Sequence, residues 1–450
     1  MRSKTLFGLT AQLKDKLIQQ ALERRLRHVE ESDKAPLNLV AGLGATDKIP
    51  EQHYRFHLHP NYQQIRIMND GAARLGVGNP FFRLHEGTAR NTTVIGDQNY
   101  VNFASYNYLG MSGHPVVMDA AKAAIDRYGT SVSASRIVSG DRPIHRQLEQ
   151  ALARVYGVED AITFVSGHAT NVTTIGHLFG PKDLVLHDEF IHNSALQGIQ
   201  LSGARRLSFP HNDWQTVDTI LTEQRRHFDR VLIVLEGIYS MDGDFPDLPR
   251  FIDVKRRHFA FLMVDEAHSF GVMGKTGLGI REHFGLAGSD VDIWMGTLSK
   301  SLAGCGGYVA GESALVEHLK FLAPGFLYSV GMPPPVAAAS LAALNCMQQE
   351  PERVSQLVER GQQFLREAKA AGINTGSSAG LAVVPAIIGS SLSTARVSEA
   401  MFKRGVNVQP ILYPAVPEKS ARLRFFISCQ HTPEQIHETV EALAQEVRRV

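Results

Sequence analysis

From residue 100 onward the chain alternates short apolar runs with longer amphipathic stretches. VNFASY, DAITFVS, DLVLHD, VLIVLEG, FAFLMVDEA and VDIWMGTLS are of strand length, and the segments between them carry helical spacing. That alternation predicts an α/β fold with a mostly parallel central sheet flanked by crossover helices. After about residue 336 the pattern changes to a helix-rich stretch, the run AVVPAIIG, a turn centred on Gly405, the run ARLRFFIS and a closing helix. This predicts a smaller C-terminal α/β domain. Its last helix has a marked start: Thr432 can cap it, Pro433 suits the first position and Gln435 completes a capping box. Near the N-terminus, Leu13, Leu17, Ala21 and Leu26 fall at helical spacing within residues 10–31, predicting an amphipathic helix that packs on its own body or docks on a partner. Residues 33–95 show no sustained period and read as a structured arm. The expected division is therefore an N-terminal helix and arm over 1–95, a large domain over 96–335 and a small domain over 336–450. No internal repeat is visible.

Composition narrows the function classes. With 44% hydrophobic residues in 450, the chain can bury a sizeable core. Lys and Arg number 46 against 45 Asp and Glu, spread along the chain, so no global field recruits nucleic acid or an anionic membrane. Cys305, Cys346 and Cys429 are odd in number and form no CxxC pair, which predicts neither a disulfide framework nor a zinc knuckle and suits a reducing, cytoplasmic setting. The apolar patch Leu6–Leu9 is too brief for a signal peptide. The run 333–347 falls short of the ~20 residues that cross a bilayer, so no transmembrane segment is expected.

Candidate chemistry collects at the ends of the apolar runs. VDEAHSFG (264–271) follows FAFLM and places Asp265, Glu266 and His268 at the C-terminal edge of a buried strand, where ligands of open α/β sheets bind. A DEAH tetrapeptide also occurs in helicases, but those need an upstream GxxxxGK[ST] loop; here the only Gly-Lys-Thr, 274–276, lies downstream and Ser269 stands where the first Gly is required. The other reading joins an acid that holds a pyridinium to a lysine that forms a Schiff base. Lys300, in MGTLSKSLAGCGGYVAG, follows a strand among small and hydroxylic residues, where burial would lower its pKa and make it a better nucleophile. FVSGHATN (164–171) reads as strand, Ser-Gly, helix, an arrangement whose backbone amides suit a phosphate. In HDEFIHNSALQG, His187 and His192 lack HExxH spacing, so no metal is expected, and His192 alone reads equally well as an exposed residue at a helix start.

Taken in order, SYNYLG, SRIVSGDRPIHRQLE, SGHATN, DEFIHNSALQG, LEGIYSMDGD, VDEAHSFG, TLSKSLAGCGGYVAG and SARLRFFISCQHT resemble the α-oxoamine synthases, fold-type I enzymes that use pyridoxal 5'-phosphate (PLP). That family includes serine palmitoyltransferase and 8-amino-7-oxononanoate synthase, and the likeness covers residues 95–450. It implies a decarboxylative, Claisen-type condensation of a small α-amino acid with an acyl thioester, carried by coenzyme A or a carrier protein, in a homodimer. It further implies that Lys300 is the Schiff-base lysine and moves the substrate α-proton, and that Asp265 pairs with the pyridine nitrogen. By the same resemblance, His268 and Ser240 would contact the surroundings of the phenolic oxygen, His192 would stack on the ring and meet the substrate, Gly167, His168 and Thr297 would hold the phosphate, and Arg424 would grip the amino-acid carboxylate. Tyr106 in SYNYLG is similar to the serine palmitoyltransferase branch, at a position that elsewhere carries a substrate-contacting Asn. In FLYSVGMPP, Ser329 is kept, while Val330 and Gly331 stand where hydroxyl residues typically reach the neighbouring subunit's phosphate. Two other readings share parts of this set: another PLP enzyme, an aminotransferase or lyase, and a non-catalytic partner subunit, which would lack the lysine.

Overall fold

In the computed structural model residues 49–74 and 78–450 are described; the helix expected over 10–31 lies outside them. The chain divides into two units, the first ending at Leu75. In it, short 3-10 turns at Glu51–His53 and Phe56–Leu58 precede a helix, Pro60–Arg74, inside the stretch whose sequence showed no period. Proline at the first helical position costs no hydrogen bond, because that amide has no intrahelical partner.

The second unit, from Gly76, opens with the hairpin of β1 (Thr92–Ile95) and β2 (Gln98–Asn102). Five of the six apolar runs then enter one sheet. Its strands are β3 (Asp160–Phe164), β4 (Leu184–Asp188), β5 (Arg205–Phe209), β6 (Val231–Glu236), β7 (Phe261–Asp265), β8 (Ile293–Thr297) and β9 (Gly307–Gly311), in spatial order β3-β9-β8-β7-β6-β4-β5. The pairs β5-β4, β4-β6, β6-β7 and β7-β8 are parallel, and β9 alone runs antiparallel to both neighbours. β6 is buried at every position. Its side chains sort by alternation: Val231, Ile233 and Leu235 pack into one core, Leu232 and Val234 into a second on the opposite face. Helices covering both faces give each of these residues roughly 1.5–3 kcal/mol of burial.

The run VNFASY does not join this sheet. β2 ends at Asn102 and lies between β1 and a short parallel strand, β11 (Val406–Asn407). Asn102 is buried there and its side-chain oxygen accepts a hydrogen bond from Asn407 Nδ2 at 3.0 Å, so a polar pair across two strands sets the register. The C-terminal part adds an antiparallel sheet of β10 (Val383–Ile387), β13 (Arg422–Phe426) and β12 (Gln409–Ile411), with β13 in the middle. The closing helix, Pro433–Val447, starts as its sequence predicts: Thr432 Oγ1 accepts from Gln435 N–H at 3.2 Å and Gln435 Oε1 from Thr432 N–H at 3.1 Å. Among the described residues no helix is long and apolar enough to cross a membrane.

Candidate active site

The parallel strands deliver Glu236, Asp265 and Thr297 to one edge of the sheet, at the C-terminal ends of β6, β7 and β8. Asp265 is buried there, and both its oxygens are occupied. Oδ1 accepts the Ala267 N–H at 2.9 Å and Oδ2 accepts Asn171 Nδ2 at 2.7 Å. Asn171 belongs to the helix Gly167–Leu178, and the same nitrogen reaches Ser194 Oγ at 2.9 Å, which fixes the amide's orientation.

That helix begins at the pocket. Ser166 caps it, accepting from Ala169 N–H, and the Gly167 and His168 amides, in its first turn, have no intrahelical partner. A Cβ on Gly167 would stand 2.8 Å from Thr297 Oγ1, so only glycine lets the helix start approach the end of β8 this closely. Thr297 Oγ1 in turn donates to Gly306 O at 3.0 Å, tying the two ends of the loop that carries Lys300. Burial lowers the Lys300 amine to about 8, even though Asp265 and Glu236 pull it upward.

Three further groups border this space. His268, buried, shares a 2.7 Å hydrogen bond through Nδ1 with the Tyr108 hydroxyl, which leaves Nε2 as its remaining ring nitrogen. Burial, then the Lys300, Arg424 and His192 charges, push His268 well below the ordinary histidine range, so it is a neutral ring. His192 lies at the exposed rim and precedes the helix Asn193–Ser202; its Nδ1 accepts the Ser194 N–H at 3.2 Å and lies 2.7 Å from Ser194 Oγ. It therefore caps the helix and also borders the cavity.

A cavity of about 180 Å³ brings together Gly167, His168, His192, Asp265, His268, Thr297 and Lys300. A second, of about 370 Å³, adjoins it through Ser299 and Lys300 and is lined by Tyr106 and by polar side chains including His85, Thr93, Asn102 and Asn107. Lys300 Nζ stands 5.6 Å over the Tyr106 ring. Three expected residues line neither space. Ser240 and Arg424 lie together just outside: Arg424 NH1 donates to Ser240 O at 3.1 Å and its guanidinium packs 4.6 Å over the Phe426 ring. Ser329 sits apart in a narrow crevice beside Arg136, its hydroxyl turned to Val330 O. Among the residues that line the cavity without having been singled out from the sequence are two with polar side chains on neighbouring elements, Asn171 and Glu236. Both lie inside motifs that were, at the end of SGHATN and at the start of LEGIYSMDGD.

These groups match PLP by chemistry: a buried carboxylate for a pyridinium nitrogen, a low-pKa amine for an aldehyde carbon, and free amides with a threonine hydroxyl for a phosphate. Elsewhere, His114, Cys346 and Glu350 also approach one another. There, however, the histidine meets the thiol and the carboxylate through opposite ring nitrogens, and Arg353 holds Glu350 at 2.6 Å, so the trio is a hydrogen-bonded junction.

Residues 98–443 match the model of the aminotransferase class I and II family. The chain belongs to that family, as an α-oxoamine synthase. It is 37% identical over 376 residues to an 8-amino-7-oxononanoate synthase of Symbiobacterium thermophilum, covering 84% of this chain and 95% of that one. Among solved structures, a serine palmitoyltransferase of S. paucimobilis with a bound PLP–myriocin adduct superposes with a TM-score of 0.83 at 29% identity, over 86% of this chain and 98% of the other. An 8-amino-7-oxononanoate synthase of Francisella tularensis gives 0.67 at 25%, over 78% and 98%. The α-oxoamine synthase described here is a PLP-dependent acyltransferase that condenses an α-amino acid with an acyl thioester, with loss of CO2. The fold-type I architecture expected from the sequence is the one observed.

Proposed function

We propose that the residues at this sheet edge divide the work as follows. Lys300 would hold the cofactor and would move the substrate α-proton at Nζ; an amine lowered to about 8 has a far larger neutral fraction near neutral pH than an ordinary lysine. Asp265, pinned by Asn171 and Ala267, keeps a proton on the ring nitrogen. PLP supplies an electron sink for the charge that develops at the α-carbon. The Gly167 and His168 amides and the Thr297 hydroxyl hold the phosphate, and Ser329 reaches the phosphate site of a neighbouring subunit in a homodimer. His192 would stack on the cofactor ring and meet the substrate, while His268 and Ser240 would bind around its phenolic oxygen. Arg424 pairs with the amino-acid carboxylate through its planar fork. Tyr106 and the larger polar cavity receive the acyl thioester, on coenzyme A or a carrier protein. The division at residues 95 and 335 separates an arm, a cofactor-binding domain and a small domain, and the setting is the cytoplasm.

One observation carries this reading: Asp265 and Lys300, which arrive from different strands, line one cavity at the start of the helix Gly167–Leu178. Borohydride reduction of the coloured holoenzyme followed by peptide mapping places the pyridoxyl label on Lys300, and Lys300→Ala shows neither label nor CO2 release. A label on another lysine refutes the assignment. A mass-spectrometric screen of amino acids against coenzyme A and carrier-protein thioesters then identifies the pair.

A further inference from the structure

His192 stands where two helices meet, and the hydrogen bonds there fix which ring nitrogen carries its proton. Asn171 Nδ2 has two hydrogens and two acceptors, Asp265 Oδ2 at 2.7 Å and Ser194 Oγ at 2.9 Å. Turned round, the amide would set its own oxygen against Asp265 Oδ2, acceptor against acceptor, so the nitrogen faces the acid. Ser194 is only 1% exposed, and its hydroxyl, which accepts from Asn171, has one hydrogen left to give. His192 Nδ1 lies 2.7 Å from that oxygen. The Ser194 N–H, in the first turn of the helix Asn193–Ser202 and so without an intrahelical partner, donates to the same nitrogen at 3.2 Å.

Two donors therefore converge on Nδ1. A main-chain N–H can only donate, so Nδ1 must offer its lone pair, and a neutral ring that accepts there carries its proton on Nε2. Burial lowers the His192 pKa, and the Lys300, His168 and Arg424 charges act in the same direction against the pull of Asp265, which suits a neutral ring. Among the described residues no hydrogen bond engages Nε2, while His192 lines the cavity that contains Lys300. Packing brings these groups together: the helices Gly167–Leu178 and Asn193–Ser202 approach so closely that a Cβ on Gly198 would stand 2.8 Å from Asn171 O.

We propose that Ser194 is a positioning residue: a chain of hydrogen bonds anchored on Asp265 and running through Asn171 and Ser194 holds His192 as its Nε2–H tautomer, a fixed donor for an oxygen of the substrate. The carboxylate assigned to the cofactor ring thus also orients, through two uncharged side chains, the histidine assigned to the substrate. This consequence for catalysis rests on the role proposed above for His192; the tautomer does not.

The full-length, cofactor-free protein, made with nitrogen-15-labelled histidine, is read by NMR at neutral pH, the His192 signals being those lost in His192→Gln. The expected result is a bare Nδ1 and a protonated Nε2. In Ser194→Ala, which keeps only the longer N–H contact, the two signals are expected to move toward each other as the second tautomer becomes populated. A proton on Nδ1 in the wild type, or a Ser194→Ala spectrum like that of the wild type, overturns the proposal. If Ser194→Ala does not fold, the wild-type spectrum alone decides. In the PLP-loaded enzyme, with the amino acid and thioester that the mass-spectrometric screen identifies, Ser194→Ala is expected to lower kcat/KM roughly threefold to tenfold, the scale of one neutral hydrogen bond, and to cost nothing further in a His192→Gln background. Losses that multiply mean that Ser194 acts independently of His192 and overturn its positioning role. Because the tautomer is read without PLP, a pyridoxyl label on a lysine other than Lys300 would overturn the proposed function and leave the tautomer as measured.

Discussion

Burial keeps His268 and His431 neutral, and the consequence can be measured at His431. Its ring stacks on Phe103 with centroids 4.2 Å apart, Nδ1 accepts the Ser428 N–H at 2.9 Å and Nε2 meets Asn102 O at 3.2 Å, an arrangement that fits one neutral tautomer. Burial lowers its pKa to about 4. The unfolded chain therefore binds a proton near the ordinary histidine value that the folded chain refuses, so stability is lost as pH falls through that value toward 4. Thermal melts between neutral and mildly acidic pH are expected to show a steeper acid loss for the wild type than for His431→Gln; equal slopes would falsify the assignment. At this scale the sequence was informative where a residue has one chemistry. Lys300 and Asp265 stood out because each follows an apolar strand. Asn171 and Glu236 did not, since an Asn within a helix and a Glu ending a strand are ordinary until the fold brings them to one cavity.

The elements most legible in the sequence are those with a local cause. β6 and β7 are buried apolar runs of strand length, and the closing helix is announced by its cap. Thr432→Ala removes the oxygen that accepts the Gln435 amide and is expected to cost about 1 kcal/mol, measured by chemical denaturation, with cofactor binding unchanged. β5 and β9 were not legible, for different reasons. β5 reads RRLSF and is largely exposed, because it is the sheet's edge strand and needs no apolar face. β9 reads GYVAG, and its glycines serve close approach: a Cβ on Gly307 would stand 2.4 Å from Thr170 Oγ1. β2 was read as a strand but given the wrong neighbours, because pairing with β11 depends on residues 300 positions away. The helix Pro60–Arg74 was missed because its stripe is marked only by Tyr62, Ile65 and Met68, and Asn69, Asp70 and Gly71, poor helix formers, follow at once.

For the whole molecule, the proposed homodimer accounts for apolar residues left on the surface. Ile137 and Val138 lie in one segment and Tyr328 and Val330 in another, joined by the backbone bridge between Ser135 and Val330; Val138 is 78% and Tyr328 86% exposed. Such a patch beside Ser329 is suited to a second copy of the chain. Tyr328→Asp is expected to shift the protein from dimer to monomer in sedimentation velocity and to weaken PLP retention on dialysis; a dimer of undiminished affinity places the interface elsewhere. The pairing of β2 with β11 reaches still further. Val101 and Val406 are register partners, so the hairpin emerges from the ribosome long before the strand that completes its sheet. At ordinary synthesis rates of about 5–20 residues per second, that wait is roughly 15–60 s. The seven-stranded sheet, whose strands end by Gly311, can assemble during that interval, while the edge of β2 stays unpaired until Val406 and Asn407 are made.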